Sequence, residues 1–307
     1  MEMSQVLHLG YHYVLDGNAP GANCPPDRLR DQLAYFKENG WTILTCGDVA
    51  WHIKEKLPLP EKCVTLSFDD GLKSQYAAAL PILCEFDAPA TFFVITCPLE
   101  GAMPPVIGFQ ILIDQLGAER IEKEILPDLL KETWYRVLFG LDPNHYGAKK
   151  GEPPEMRLIK WIFNHFLPQS FKMDLISEMF ARYIGQNAER SMVRRWFLTD
   201  TELREMDREG MEIASHSHTH PDFAACGLTE IETEMIRSKE ALKNVLPRTT
   251  IETFGWPFGG AYRQSVINLA ARHYASAWNF MSARSMPAEY NPHNIPRLHE
   301  GWGFPPS

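Results

Sequence analysis

The sequence lacks long hydrophobic runs, and its start lacks the features of an export signal. No apolar segment approaches the roughly 20 residues needed to span a bilayer. The first residues also lack the basic region and the apolar stretch of a secretory leader. None of the six cysteines forms a C-x-x-C pair, which favours free thiols in a reducing compartment. We therefore expect no transmembrane segment and a cytoplasmic location.

A block of basic residues is missing as well. The 307-residue chain carries 30 basic and 39 acidic residues, a net charge of −9, and Lys149-Lys150 and Arg194-Arg195 are isolated basic pairs. A nucleic-acid-binding face needs clustered positive charge, so we expect no nucleic-acid partner. With 45% hydrophobic and 22% charged residues, the composition is that of a folded globular protein rather than a disordered one.

Short apolar runs alternate with helical stretches in the first hundred residues and again after residue 195. Strands are predicted at residues 6–14, 41–45, 63–68, 90–95, 211–215, 251–256, 275–279 and 294–298. Helices are predicted at residues 27–39, 48–56, 74–86, 199–209, 229–245 and 263–273. Near-continuous apolar strands alternating with helices are typical of a parallel sheet covered on both faces. The pattern predicts an α/β fold, a barrel-like sheet of about seven strands.

Residues 103–195 interrupt this alternation with helical spacing alone. They predict an all-helical insertion into a barrel made of residues 1–102 and 196–307. The insertion could cap the barrel mouth or form the interface of a homo-oligomer. After it, Thr199 or Asp200 is the predicted N-cap of one helix, and Thr229 with Glu232 forms the predicted capping box of the next.

Chemistry-bearing residues follow three of the predicted strands. Asp69 and Asp70 follow residues 63–68, and His216 and His220 follow residues 211–215, four positions apart. Active sites of α/β folds lie at the carboxyl ends of strands. One carboxylate with two imidazoles makes a three-ligand site for zinc or a similar ion, and the other carboxylate is free to act as a base.

A loop rich in glycine and aromatic residues, at 254–260, follows the third of these strands. Its unusual backbone could present a main-chain N–H to an oxyanion, and its aromatic residues could form a wall against a substrate. Trp256 and Pro257 are therefore predicted to contact substrate.

These segments resemble the motifs of the polysaccharide deacetylases, the NodB-homology group or carbohydrate esterase family four. Residues 65–71, T-L-S-F-D-D-G, resemble the T-F-D-D-G motif of that family, and residues 216–220, H-S-H-T-H, resemble H-[ST]-x-x-H. Residues 254–259 resemble its third motif. Softer similarity includes Tyr11-His12, which resembles the opening strand of the family. The resemblance implies a distorted (β/α) barrel of about seven strands with a long helical insertion.

The resemblance also implies roles for individual residues. Asp70, His216 and His220 would hold the metal, with zinc as the first expectation and cobalt, nickel, iron or manganese as alternatives. Asp69 would be the catalytic base. The backbone N–H of Phe258 would stabilise the oxyanion.

The general acid is expected at His299. In the family this group is a histidine of a late strand, in a motif resembling L-x-H, and Arg297-Leu298-His299 sits at the corresponding place.

One family residue is missing from the third motif. An arginine normally stands two residues before its proline, where it pairs with the base, but this sequence has Gly255 there. Arg297 is the predicted substitute, provided that its strand lies beside Asp69.

The function implied is hydrolysis of an N-acetyl or similar N-acyl group from an amino sugar of a polysaccharide or its precursor. Two alternatives stay open: a formamide or cyclic amide hydrolase of the same superfamily, and a carbohydrate-binding barrel without turnover. Substituting Asp69 separates the last alternative from the other two, because binding survives loss of a base whereas hydrolysis does not.

Overall fold

In a computed structural model of the chain, eight parallel strands form one sheet that closes on itself. The structure describes residues 5–17, 19, 21–129, 163, 167–259, 262–280 and 291–299. The strands are β1 (Gln5–Tyr11), β2 (Thr42–Leu44), β3 (Lys62–Phe68), β4 (Thr91–Val94), β5 (Glu212–Ser215), β6 (Thr253–Gly255), β7 (Ser276–Phe280) and β8 (Ile295–His299). All eight lie where the apolar runs predict them.

Seven of these strands make the closed barrel. Their order around the ring is β1, β3, β4, β5, β6, β7 and β8, and β8 pairs again with β1. β1 runs beside β3 over its whole length, from Gln5 opposite Lys62 to Tyr11 opposite Phe68. β2 pairs with the first half of β3. On the same side of β3, its last two residues pair with β4 instead. The predicted distorted barrel of about seven strands is confirmed.

Helices surround the barrel. They are α1 (Pro26–Glu38), α2 (Cys46–Lys54), α3 (Leu80–Glu85), α4 (Pro105–Leu116), α5 (Ala118–Arg120), α6 (Leu126–Leu129), α7 (Gln169–Met179), α8 (Ala188–Trp196), α9 (Asp200–Arg208), α10 (Leu228–Val245) and α11 (Gln264–His273). Leu29, Leu33 and Phe36 of α1 are buried, as their helical spacing predicts. None of the described helices is long and apolar enough to cross a membrane.

The described residues between β4 and β5 are helical. Helices α4 to α8 and short π-helical turns lie there, and the described part of this segment contains no strand. Its core includes Phe109 and Ile176 and continues onto Ile95 and Cys97, which follow β4. A Cβ atom on Gly108 of α4 would lie 2.9 Å from Ile176 Cγ2, so this glycine permits close packing of α4 on α7. These helices therefore pack against the carboxyl end of the barrel.

One of the two predicted N-caps is wrong. Thr199 caps α9 and forms a capping box with Glu202. Helix α10 instead begins at Leu228 after Gly227, and no side chain caps it. The predicted partner in the capping box, Glu232, lies 3.0 Å from His273 Nε2 on α11. The local pattern fails because the helix begins one residue before Thr229, which places Thr229 inside the first turn.

Polar groups occupy the barrel interior below its mouth. His8 is fully buried on β1, with Nδ1 2.9 Å from Thr65 Oγ1 and its ring edge-to-face with Trp278. Burial, with the charge of Arg297, lowers the pKa of His8 to about 3. His8 is therefore neutral in the folded protein at neutral pH.

Candidate metal centre

Two carboxylates follow β3 directly. Asp69 and Asp70 are buried, with 1% and 8% of their surface exposed. The chain turns sharply because Asp70 and Gly71 both have positive φ, 78° and 69°. A Cβ atom at Gly71 would approach Val94 Cγ1 to 3.0 Å, so the turn and the close contact with β4 both favour glycine. The turn sets the carboxylates beside the loop that follows β5.

That loop carries the two histidines predicted as ligands. The backbone N–H of His216 donates to Val94 O at 2.9 Å, which keeps the start of the loop in line with β4. Ser217 and His220 have positive φ, 65° and 57°, a strained conformation for residues with side chains. Ser217 Oγ accepts a hydrogen bond from His220 N–H at 3.0 Å. The resulting tight turn brings the His216 and His220 rings to a centroid separation of 4.8 Å.

The donor atoms of Asp70, His216 and His220 form one group. One ligand atom from each residue can be chosen so that all three lie within 4.8 Å of one another. Asp70 Oδ1 is 3.6 Å from His216 Nε2 and 3.7 Å from His220 Nε2. Ligands about 2.1 Å from a tetrahedral ion lie roughly 3.4 Å apart. The three side chains therefore fit a small divalent cation.

The electrostatics of the group suit a bound cation. Burial raises the pKa of Asp70, because the carboxylate loses solvation. Burial, with His216 alongside, lowers the pKa of His220 well below its usual value and leaves the imidazole neutral, as a ligand must be. His216 Nδ1 lies 2.8 Å from Gly255 O, so donation there leaves Nε2 free to bind metal. A cation at this place would offset the desolvation of Asp70.

Asp69 has a different partner. Arg297 on β8 donates from Nη1 to Asp69 Oδ1 at 2.6 Å and from Nη2 to Oδ2 at 2.8 Å. The guanidinium is fully buried between the rings of Phe93 and Phe280, 4.6 and 4.3 Å from their centroids. Burial acts to raise the pKa of Asp69, but Arg297 and then His216 outweigh it and hold that pKa well below its usual range. The structure thus places Arg297 against the predicted base.

Gly255 leaves no room for the arginine that the third motif usually carries. A Cβ atom there would lie 2.8 Å from Phe93 Cγ and 2.9 Å from His216 Nδ1. These distances are shorter than a carbon atom tolerates without a shift of the neighbours. The arginine that pairs with Asp69 therefore reaches it from β8 instead.

A family model described as polysaccharide deacetylase matches residues 56–124 and 178–278, more than half of the chain. The chain belongs to the polysaccharide deacetylase family. Two curated relatives match shorter stretches. Poly-beta-1,6-N-acetyl-D-glucosamine N-deacetylase of Escherichia coli is 41% identical over 127 residues, 39% of this chain and 19% of that protein. Chitooligosaccharide deacetylase of Sinorhizobium fredii is 32% identical over 57 residues, 19% of this chain and 26% of that protein.

Solved structures of deacetylases share the fold. The deacetylase PplD of Streptococcus pyogenes, in complex with acetate, superposes with a TM-score of 0.58 at 20% identity, over 96% of this chain and 91% of that one. IcaB of Ammonifex degensii gives 0.55 at 15% identity, over 97% and 92%. At these identities the likeness shows the fold alone.

The third-motif loop of this family member divides into an exposed and a buried part. Phe258 has a positive φ of 58°, is 38% exposed, and its ring centroid lies 5.0 Å from that of His220. Pro257 is buried, and Trp256 is 1% exposed inside the core, where its Nε1 donates to His293 O. The indole of Trp256 packs against the rings of Phe223, Phe254 and Tyr262. The expected substrate contacts of Trp256 and Pro257 stay predictions. Phe258 is the member of this loop that reaches the surface beside the ligands.

His299 lies at the end of β8, with its backbone opposite Gly10 of β1. This position is at the same end of the barrel as the two carboxylates. Its side chain is outside the described part of the chain, so its assignment as the general acid of this deacetylase-family member stays a prediction.

His12 lies close to the site, and the sequence motifs assigned no role to it beyond the softer similarity of Tyr11-His12. It directly follows β1, is half-buried, and stacks on Phe280 at a centroid distance of 5.5 Å. Its charge acts to lower the pKa of both Asp69 and Asp70, which places it close to the carboxylates. The signal available in the sequence was the similarity of Tyr11-His12 to the opening strand of the family, since His12 lies inside the strand predicted at residues 6–14 and not at its carboxyl end.

Proposed function

We propose that the protein is a metal-dependent hydrolase that removes an N-acetyl or similar N-acyl group from an amino sugar of a polysaccharide or its precursor. The observation that carries the proposal is that a set of metal ligands and an ionised carboxylate lie side by side at one mouth of the barrel. Asp70, His216 and His220 form a three-ligand set, and the adjacent Asp69 is held ionised by Arg297. A metal-dependent hydrolase needs both a metal with an open position and a base beside it.

The names of the relatives support an N-acetylated hexosamine polymer as the substrate class. The Escherichia coli relative is named for poly-beta-1,6-N-acetyl-D-glucosamine and the Sinorhizobium relative for chitooligosaccharide. This chain covers only 19% and 26% of their lengths. The matched stretches leave the linkage and the length of the substrate chain to experiment.

The mechanism assigns each side chain a task. A bound divalent ion, zinc first, would supply Lewis acidity at the scissile amide. Asp69 accepts a proton from the attacking water. Arg297 keeps the carboxylate oriented and favours its ionised form between turnovers. The backbone N–H of Phe258 donates to the developing oxyanion, in a loop whose positive φ fixes its direction.

A proton must then reach the leaving amine. Two histidines are candidates for this step, His299 at the end of β8 and His12, which follows β1. Since β1 and β8 are paired neighbours, both histidines belong to the same side of the mouth. Separate substitution of each by glutamine assigns the step: the general acid is the one whose loss lowers kcat about 100-fold or more.

The decisive experiment combines metal content with product release. Wild type, Asp70→Asn and Asp69→Asn are purified, their metal is measured, and acetate release from β-1,6-linked N-acetylglucosamine oligomers and from chitooligosaccharides is followed. We expect about one equivalent of metal in wild type and Asp69→Asn, little in Asp70→Asn, and at least about 100-fold slower acetate release in both variants.

Other results would point elsewhere. Release of formate from a formamide, with no acetate from either sugar, would favour the formamide or cyclic amide hydrolase. Sugar binding by the metal-loaded protein without turnover of any amide would favour a binding module. Absence of metal from reconstituted wild type would refute the metal mechanism.

A further inference from the structure

The residue between His218 and His220 is held from two sides by helices of different parts of the chain. Thr219 is 7% exposed and is in contact with Gln169 of α7 and Glu234 of α10. Helix α7 belongs to the segment between β4 and β5, whereas α10 follows the histidine loop. The loop that carries two candidate ligands thus joins both parts.

Gln169 reaches the loop from the first residue of α7. Its Nε2 donates to Thr219 O at 2.9 Å and to Thr219 Oγ1 at 3.0 Å, and the side chain is only 8% exposed. Within the described residues its Oε1 atom has no hydrogen-bond partner. Burying an amide carbonyl without a partner is unfavourable, and such a group in a native structure calls for a reason. The N–H donors of this amide therefore hold the loop, whereas its carbonyl oxygen takes no part in the contact.

Glu234 binds the opposite side of the loop. Its Oε2 accepts from the backbone N–H groups of His218 and Thr219 at 2.8 and 2.7 Å, and its Oε1 accepts from Thr219 Oγ1 at 2.7 Å. The Thr219 hydroxyl therefore donates to Glu234 and accepts from Gln169. The three side chains form one continuous hydrogen-bonded chain, which we name the Thr219 clamp.

The conformation of the loop explains why a clamp is needed. Ser217 and His220, on either side of the clamped pair, both have positive φ. Such residues persist only where surrounding contacts hold them. Without the clamp, the turn could relax and move the His220 ring away from Asp70 and His216.

We propose that the Thr219 clamp positions His220 for metal binding and makes the helical segment between β4 and β5 a structural part of the metal centre. The inference rests on the metal site of the proposed function. Gln169 and Glu234 are positioning residues, since they contact the ligand loop and not the ligands' donor atoms. The segment then contributes to the chemistry even where none of its residues contacts substrate.

The test measures metal affinity directly, by chelator competition with the full-length protein. Gln169→Leu keeps the size of the side chain and removes both donors, and Thr219→Val removes the hydroxyl at constant shape. We expect each to raise the dissociation constant for zinc and cobalt about 10-fold or more, the usual effect of losing an outer partner of a ligand. The cobalt-loaded variants should also show an altered visible spectrum, because the ligand geometry changes.

Two controls separate positioning from general damage. Thr219→Ser keeps the hydroxyl and should restore affinity to within about threefold of wild type. Gln115→Leu makes the same substitution at an exposed position of α4 and should leave metal affinity unchanged. If Gln169→Leu does not fold, the Thr219→Val and Thr219→Ser pair carries the test alone.

The outcomes also separate this inference from the proposed function. Metal binding by wild type with unchanged affinity and spectrum in Gln169→Leu and Thr219→Val would overturn the clamp and leave the metal centre standing. Failure of wild type itself to bind metal would overturn both.

Discussion

Asp69 and Arg297 are 228 positions apart in the chain, yet they form the most buried ion pair at the site. Neither side chain is more than 2% exposed. A buried pair of this kind gains little over an apolar pair, but each partner is costly when left alone. The pair therefore acts less as a source of stability than as a constraint, since neither charge can be lost without penalty.

Removing the guanidinium of Arg297 should reveal that penalty. We expect Arg297→Met to lower the free energy of unfolding of the chelator-treated protein by about 3–5 kcal/mol, because Asp69 is left as a buried, unpaired carboxylate. Adding Asp69→Asn to this variant should recover part of the loss. Urea titration of the single and double variants measures both changes, and a loss below about 1 kcal/mol in Arg297→Met would contradict the account.

At the residue scale, much of the site is readable from the sequence. The residues after the predicted strands indicate a site of one carboxylate and two histidines. The choice of Asp70 as ligand and Asp69 as base, and of Arg297 as the substitute for the arginine missing at Gly255, comes from the resemblance to the family. Trp256 shows the limit, because an aromatic residue in a substrate-facing motif and one in the core look alike without the packing around them. The contacts of Thr219 were equally invisible, since Gln169 and Glu234 lie far away along the chain.

At the scale of elements, two helices begin with the same pattern and behave differently. Thr199 and Glu202 form a capping box on α9, whereas Thr229 and Glu232, with equal spacing, do not form one on α10. Helix position explains the difference, because α10 begins one residue before Thr229 and places it inside the first turn. The element itself follows from local periodicity, but the residue at which it begins does not.

This contrast gives a matched pair of substitutions. Thr199→Ala should lower the free energy of unfolding by about 1 kcal/mol, since an N-cap hydrogen bond is lost. Thr229→Ala should change it by no more than about 0.5 kcal/mol, because no cap is lost and alanine is the better helix former. Equal losses in the two variants, measured by thermal or urea unfolding, would show that Thr229 caps α10 in solution.

For the molecule as a whole, the polar interior of the barrel should make folding sensitive to acid. The pKa of His8 is about 3 in the folded protein and about 6.5 when the chain is unfolded. Above pH 7, His8 is neutral in both the folded and the unfolded protein, so its titration does not change the free energy of unfolding there. Between the two pKa values only the unfolded chain takes up the proton, and stability falls as the pH drops.

Substitution of this histidine should therefore flatten the acid side of the stability curve. Between pH 6 and pH 4, His8 should make the free energy of unfolding of the wild type fall by about 1.4 kcal/mol for each pH unit of acidification. His8→Gln should lack this contribution, so its slope should be smaller by that amount. Urea titrations at several pH values, on chelator-treated protein, measure the difference between the two slopes. Parallel curves would show that His8 is hydrated or protonated in the native barrel.

The strand that closes the barrel, β8, is also the last described strand to leave the ribosome. Until β8 is synthesised, no strand pairs with both β1 and β7, and Asp69 lacks the guanidinium of Arg297. A chain cut short before β8 could not complete the ring. It would keep Asp70, His216 and His220 but lack the arginine that pairs with Asp69.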